Sequence, residues 1–491
     1  MSGYRTPFTA LSAAILFVVG AFSTTLTTAE EESQPQTLFT NVNIFDGTSD
    51  TLAEGMSVLV EGNLIKKVAK GDIEARDDAT VIDGGGRTLM PGLHDMHTHI
   101  GIFRPVAGDN RIDMSPFLVG AVAAARAEGM LMNGFTLIRD IGGPAKFVQR
   151  AIDTGVVVGP RVLPTENFVT QTSGHGDFRN RTDPNPNIDV RGSTNYIDEY
   201  YSCFADGPTE IRRCVREQLG KGATQIKIFT GGGVASEKDP LHSVQYTPEE
   251  VQVAVQTAAQ WKTYVSAHAF TDDSIRLAVE NGVQVIEHGP LMSEDSAKLM
   301  AEKGTWLVPS VAAVLAVDWD NFKKISSPAT YAKGRRLVDG VPKEMEYAVK
   351  HGVKMAFGTD LLSDWESSVA YDNDANQEFV WLAKFMSNAD ALRMATGNAG
   401  ELHALSGPNT PYKDGPTGVI QEGAYADLLL VDGNPLEDIE IMAAPGKNFR
   451  IIIKDGVIYK NTLLADAINL ELKQKLLKTA PPHLRFYGDY N

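Results

Sequence analysis

The stretch "LMPGLHDMHTHI", residues 89–100, closes an apolar run with three histidines, His94, His97 and His99, packed into six positions. On an extended strand, side chains two apart share a face and odd separations oppose each other. His97 and His99 can therefore reach one ion together, whereas His94 points away from His97 and is assigned to structure. A strand ending in paired imidazoles raises the question of what the neighbouring strands end in.

Outward from that stretch, residues 85–405 repeat a rhythm of short apolar strand, loop and amphipathic helix. The strand candidates are "TLMPGLHDMH", "FTLIRDIG", "RVLPTENF", "TQIKIFTGG", "TYVSAHAF", "VQVIEHG", "WLVPSVAAV" and "VKMAFGTD". Between them lie helical stretches such as "SPFLVGAVAAARAEGMLMNG" and "TPEEVQVAVQTAAQWK", the latter opening on Thr-Pro and two glutamates, as a helix start should. Eight strands alternating with helices predict an α/β chain whose residues 89–410 form a (β/α)8 TIM-like barrel with its chemistry at the C-terminal strand ends. Short β-rich runs broken by Asp-Gly and Glu-Gly turns fill "TLFTNVNIFDGTSDTLAEGMSVLVEGNLIKKVAK" and return in "TGVIQEGAYADLLLVDG" and "FRIIIKDGVIYKN". They predict one small β-sandwich module assembled from residues 30–88 and 411–491.

The first 29 residues, "MSGYRTPFTALSAAILFVVGAFSTTLTTA", carry one Arg, a short apolar segment from Ala10 to Phe22 and small residues at cleavage-like spacing. They read as a signal peptide at 1–29, too short to span a bilayer comfortably, and no later segment is long and apolar enough to cross one. A periplasmic or secreted protein with no membrane span is expected. The formal charge of −17 becomes about −18 once Arg5 is removed, and such a chain repels phosphate backbones, which argues against nucleic acid as a partner. Cys203 and Cys214 are the only cysteines. In an oxidising compartment they can pair across their short loop or remain two buried thiols, and no C-x-x-C marks them as metal ligands.

The polar residues at the predicted strand ends are His97 and His99 on the first, Lys227 on the fourth, His268 on the fifth, His288 on the sixth and Asp360 on the eighth. A lone strand-end histidine is usually a packing residue; six such residues on the right ends converge on one mouth. Lys227 sits between Ile226 and Ile228, where an isolated ammonium is costly. A depressed pKa would leave an amine able to capture carbon dioxide as a carbamate, an anionic ligand able to bridge two cations. The competing reading is a salt bridge to a neighbouring carboxylate.

"PGLHDMHTH" resembles the first-strand signature of the amidohydrolase superfamily. "QTSGHGD", "IKIFTGGGVAS", "QYTPEE", "MATGNAGELHAL" and "EGAYADLLLVDGNPLEDI" are similar to a subgroup holding imidazolonepropionase-related enzymes, Xaa-Pro and Xaa-Lys/Arg dipeptidases and an ochratoxin amidohydrolase. His94 departs from the pattern, since relatives usually carry an apolar residue there. The resemblance implies two divalent metal ions, with zinc best suited to imidazole and carboxylate ligands. His97, His99 and Asp360 would hold one, His268 and His288 the other, and Lys227 carboxylated by CO2 would bridge them. Asp360 would take a proton from water and pass it to the leaving amine.

His175 in "QTSGHGD" is placed to donate to a developing oxyanion or to bind a substrate carboxylate, or else orders its own loop. Tyr246 in "VQYTPEE" is a second candidate donor, with packing beside a helix as the alternative. "TGGGVAS" lacks the Gly-Lys-Ser/Thr of a phosphate loop, and its glycines are expected to let backbone approach the metals. Arg139 and Asp140 are expected to pair structurally. The polar loop at 181–208 is expected to cover the active site. Together these readings predict an exported hydrolase of C–N amide bonds in dipeptides or N-acyl amino acids, with a small-molecule or dipeptide substrate and scope for a homo-oligomer. The alternatives are a cyclic amidase, lactonase or deaminase on the same scaffold, and a metal-free binding protein.

Overall fold

Buried on both faces, the apolar strands of the middle of the chain pair in parallel, as strands covered by helices do. In the computed structural model, residues 34–102, 116–179, 200–236, 238–361 and 374–463 are described. The signal segment 1–29, most of the 181–208 loop and the C-terminal tail lie outside the described residues. All elements below fall within the unit Pro35–Asn491. One parallel sheet contains Leu93–Thr98, Phe135–Asp140 and Arg161–Pro164. A second runs Ser202–Phe204, Phe168–Thr170, Ile226–Phe229, Val265–Thr271, Val285–Leu291, Trp306–Val308.

Single backbone hydrogen bonds link the two. Thr224 N–H donates to Pro164 O at 2.8 Å, at the start of the Ile226–Phe229 strand. Residues 353–360, predicted as the eighth strand, meet Trp306–Val308 through the parallel bridge Leu307–Met355. On their other side Met96 N–H donates to Phe357 O at 2.8 Å and Asp360 N–H to His97 O at 2.9 Å. The alternation of parallel strands and helices is thus as predicted, in two sheets joined by these bonds. The helix predicted at "TPEEVQVAVQTAAQWK" spans Pro248–Gln260 and begins in a reciprocal cap: Thr247 Oγ1 accepts from Glu250 N–H while the Glu250 carboxylate accepts from Thr247 N–H.

The N- and C-terminal β-rich segments share one eight-stranded sheet. Its order is Val457–Asn461, Phe449–Lys454, Leu428–Val431, Thr88–Pro91, Gln36–Ile44, Ala53–Glu61, Leu64–Lys70, with Thr80–Asp83 added beside Gln36–Ile44. The "KDGV" hairpin turns through Asp455 (φ 55°) and Gly456 (φ 71°), the two positive-φ positions that Asp-Gly supplies in a tight hairpin. Gly456 is further confined because a Cβ there would strike Gly62 O, in the turn of the other terminal hairpin.

Cys203 and Cys214 are bonded, with Cα atoms 5.9 Å apart, which settles the alternatives left open by the sequence. The bond ties the strand Ser202–Phe204 to the helix Pro208–Lys221. Closing a loop of separation 11 restricts the unfolded chain, an effect worth about 3 kcal/mol. We predict that Cys203→Ser lowers the urea midpoint correspondingly and removes its sensitivity to reductant. A midpoint equal to that of the unreduced parent would mean that the bond adds nothing to stability.

Candidate metal centre

The first strand brings its two histidines to one acceptor. His97 Nε2 lies 3.4 Å and His99 Nε2 3.3 Å from Asp360 Oδ1, and His288 Nε2 lies 3.8 Å from Asp360 Oδ2. The opposite nitrogens of the first two rings are taken: His97 Nδ1 faces Glu287 Oε2 at 2.8 Å and His99 Nδ1 faces Gly142 O at 3.2 Å. This is the arrangement that fixes a ligating imidazole, with its outer nitrogen donating to a carboxylate or carbonyl and Nε2 left for an ion. The donor atoms of His97, His288 and Asp360 all fall within 4.8 Å of one another.

His268 joins from the next strand, its ring centroid 4.9 Å from that of His288. Its Nε2 is buried without a hydrogen-bond partner among the described residues, a place that a bound cation would fill. Burial and the neighbouring His175, His288 and Lys227 hold His268 well below the ordinary imidazole range, so the ring is neutral and fit to ligate. Lys227, on Ile226–Phe229, is fully buried, and that burial pushes its ammonium down to about 8 even though Glu287 and Asp360 pull the other way. Among the described residues its ammonium makes no salt bridge, contrary to the alternative the sequence left open. Donor chemistry and the orphaned His268 nitrogen thus fit a site for divalent ions. His94 lies apart with both ring nitrogens unpartnered, neutralised by burial to about 3, in keeping with its structural assignment.

Several supporting groups escaped the sequence reading. Arg139 does not pair with Asp140; its Nη2 donates to Glu287 Oε1 at 2.7 Å, while Asp140 accepts from the Ile100 and Gly142 N–H groups. Burial works to raise the Glu287 carboxyl, but Arg139, His97 and Lys227 outweigh it and keep the group ionised. Strict alternation would place Glu287 and His288 on opposite faces. Both nevertheless touch His97, because His288 adopts φ 75° and turns its ring inward, 4.8 Å from that of His97. Asp95 ties the first strand to the residue before Asp360, accepting from His97 N–H and from Thr359 N–H and Oγ1.

His175 is stacked on His268, ring centroids 4.2 Å apart. Tyr246 belongs to a buried apolar cluster that also holds Val169, Val251 and Ile275, its hydroxyl has no partner among the described residues, and the charges bearing on it are Asp206, Glu250 and Glu210. The packing alternative describes it. The glycine loop also differs from expectation, since a Cβ on Gly233 would collide with the His175 ring. That glycine makes room for an imidazole.

Residues 88–458 match the profile of the Amidohydrolase family. The chain is 34% identical over 385 residues to the ochratoxinase of Aspergillus niger, covering 76% of this chain and 75% of that protein. Among solved structures it is similar to a prolidase complexed with N-methylphosphonate-L-proline (35% identity, TM-score 0.77, covering 87% of this chain and 100% of the other). It is also similar to a Xaa-Pro dipeptidase with methionine bound in its active site (29% identity, TM-score 0.75, the same coverage).

Proposed function

This chain belongs to the Amidohydrolase family, and we propose that it is an exported, binuclear metal-dependent hydrolase cutting the C–N amide bond of dipeptides or N-acyl amino acids. The observation that carries the reading is the orientation of His97 and His99, whose outer nitrogens are occupied and whose Nε2 atoms meet at Asp360, beside the unpartnered Nε2 of His268. His97, His99 and Asp360 would hold one ion and His268 and His288 a second, with carboxylated Lys227 shared between them and zinc the best-suited metal. Two such ions supply an acidified water and a polarised scissile carbonyl. The chain's own work is to hold these groups, to move a proton at the Asp360 carboxylate from water to the leaving amine, and to present His175 to the substrate.

The strands Leu93–Thr98, Phe135–Asp140, Arg161–Pro164, Ile226–Phe229, Val265–Thr271, Val285–Leu291 and Trp306–Val308 are read as seven members of one eight-stranded ring closed by residues 353–360, and the terminal sheet as a folded two-layer module. The similarity to a Xaa-Pro dipeptidase with bound methionine and to a prolidase complexed with N-methylphosphonate-L-proline favours small amides carrying a free carboxylate. Export is supported by the leader at 1–29 and by the disulfide. Among the described residues no helix is long and apolar enough to cross a membrane.

The test combines elemental analysis with a substrate screen. After growth with ample zinc the purified protein should hold close to two divalent ions per chain and release amines from dipeptides or N-acyl amino acids. At most one equivalent would remove the paired-ion reading. Turnover of lactones without any amide would move the chain to the ring-opening alternative.

A further inference from the structure

His175 is held by a shell that the proposed reaction does not by itself require. Its Nδ1 lies 2.7 Å from Ser236 Oγ and 3.1 Å from Asp239 Oδ2. The Ser236 hydroxyl donates to Asp239 Oδ1. Counting protons fixes the tautomer: the serine has one hydrogen and gives it to Asp239, so its oxygen can only accept from His175, and the carboxylate is an acceptor as well. Nδ1 must therefore carry a proton. Nε2 is left without a partner among the described residues, on a side chain that keeps 11% of its surface exposed.

Asp239 is itself fixed. Its Oδ2 accepts from Gly233 N–H at 2.8 Å, and the residue is almost fully buried. From the helix Pro328–Val338, Lys333 Nζ donates to the carbonyls of Gly233, Ser236 and Asp239 at 3.0, 2.7 and 2.6 Å. One ammonium thus gathers the three residues that surround the imidazole. Gly233 completes the seat, because any side chain there would occupy the ring's position. His175 N–H is anchored by Gln245 Oε1 at 3.0 Å, and Gln245 Nε2 donates to Asp239 Oδ2 at 3.5 Å, so the same carboxylate also braces the group that holds the backbone.

We infer that Asp239 is a positioning residue which, with Ser236 and clamped by Lys333, locks His175 in its Nδ1–H form against His268 and presents Nε2 to the substrate. The inference rests on the proposed placement of substrate at this mouth. It also narrows what His175 does there. A ring in this form offers a lone pair at Nε2.

The test has one arm that needs no substrate. Long-range nitrogen–proton spectra of the zinc-loaded, 15N-histidine protein should show His175 protonated at Nδ1, and Asp239→Ala should shift it towards the Nε2–H form that free side chains favour. A bare Nδ1 in the parent, or an unchanged tautomer in the variant, overturns the inference whether or not the protein cleaves amides. The second arm is a double-mutant cycle on whichever amide the screen identifies. Asp239→Ala should cost about 10- to 100-fold in kcat/KM, as loss of a carboxylate that orients an imidazole does. In a His175→Ala background the same change should cost no more than about twofold, the limit within which independent effects add. A full loss in that background shows a merely structural role and also overturns it. Lys333→Met should reproduce part of the loss and Lys333→Arg restore it, since the arginine keeps a cation able to reach the three carbonyls. Failure of every amide to turn over while the tautomer behaves as expected would count against the proposed reaction and leave the positioning intact.

Discussion

Asp360→Asn is expected to lower kcat by about 10²- to 10⁴-fold while most of the metal stays bound, the range that loss of a positioned proton-transfer group produces. Asparagine preserves the size of the side chain and one oxygen but removes the charge and the capacity to take a proton. The native carboxyl is held well below the ordinary carboxylate range: burial works to raise it, and the neighbouring His97, His99 and His288 outweigh that. It is thus an acceptor across the neutral range. Its position is set independently of the charge, by the backbone bond from Asp360 N–H to His97 O and by Asp95 holding Thr359. The asparagine should therefore sit where the aspartate sat. Four histidines and Lys227 remain to retain ions, so elemental analysis run beside the kinetics separates two roles. Low kcat with near-normal metal identifies proton transfer, low kcat with lost metal makes Asp360 chiefly a ligand, and a kcat equal to that of the parent removes it from the chemistry.

What the sequence disclosed and what it withheld divide along a physical line. His97 and His99 were legible because their spacing alone fixes a shared face, and His268, His288 and Asp360 because strand ends recur at regular intervals. The supporting acids were not. Glu287 meets His97 across 190 residues and Asp239 meets His175 across 64, contacts that exist only once the parallel register is set. Glu287 did leave a trace, an acid inside the buried strand "VIEHG" just as Lys227 is a base inside "IKIF", but alternation pointed it away from His288. The positive φ at His288 cancels that rule, and no local sequence feature announces it. Tyr246 is a different case. It precedes a strong helix start, and it shares an apolar cluster with Val251 and Ala254 of that helix. The terminal segments were legible as strands through their Asp-Gly and Glu-Gly turns, whereas their union in one sheet depends on Thr88–Pro91 pairing with both Gln36–Ile44 and Leu428–Val431.

Lys227→Ala is the second large effect, and it tests the least conventional ligand. A fully buried lysine with no salt bridge among the described residues carries a continuous cost in its charged form, and burial accordingly pushes it down to about 8. The direction sets a pH dependence. Carbon dioxide reacts with the neutral amine, whose share in the metal-free chain grows as pH rises through about 8, so at a fixed concentration of dissolved carbon dioxide reconstitution with zinc should be faster at pH 9 than at pH 7, about one unit either side of that midpoint. Alanine removes both the amine and any carbamate formed on it. If that group bridges two ions, the variant should lose metal and about 10³-fold or more in activity, the equivalent of several kcal/mol of stabilisation. The vacancy left between Ile226 and Ile228 is the size of the missing chain, so acetate or propionate added in solution can place two oxygens where the carbamate stood and restore part of the metal and the rate. Folding is not expected to suffer, because what is deleted is a buried cation whose desolvation outweighs the pull of Glu287 and Asp360, and a thermal melt of the metal-free variant near or above that of the metal-free parent checks this. An alanine variant that binds two ions and turns over at the parent rate with no acid added would show that Lys227 holds no carbamate.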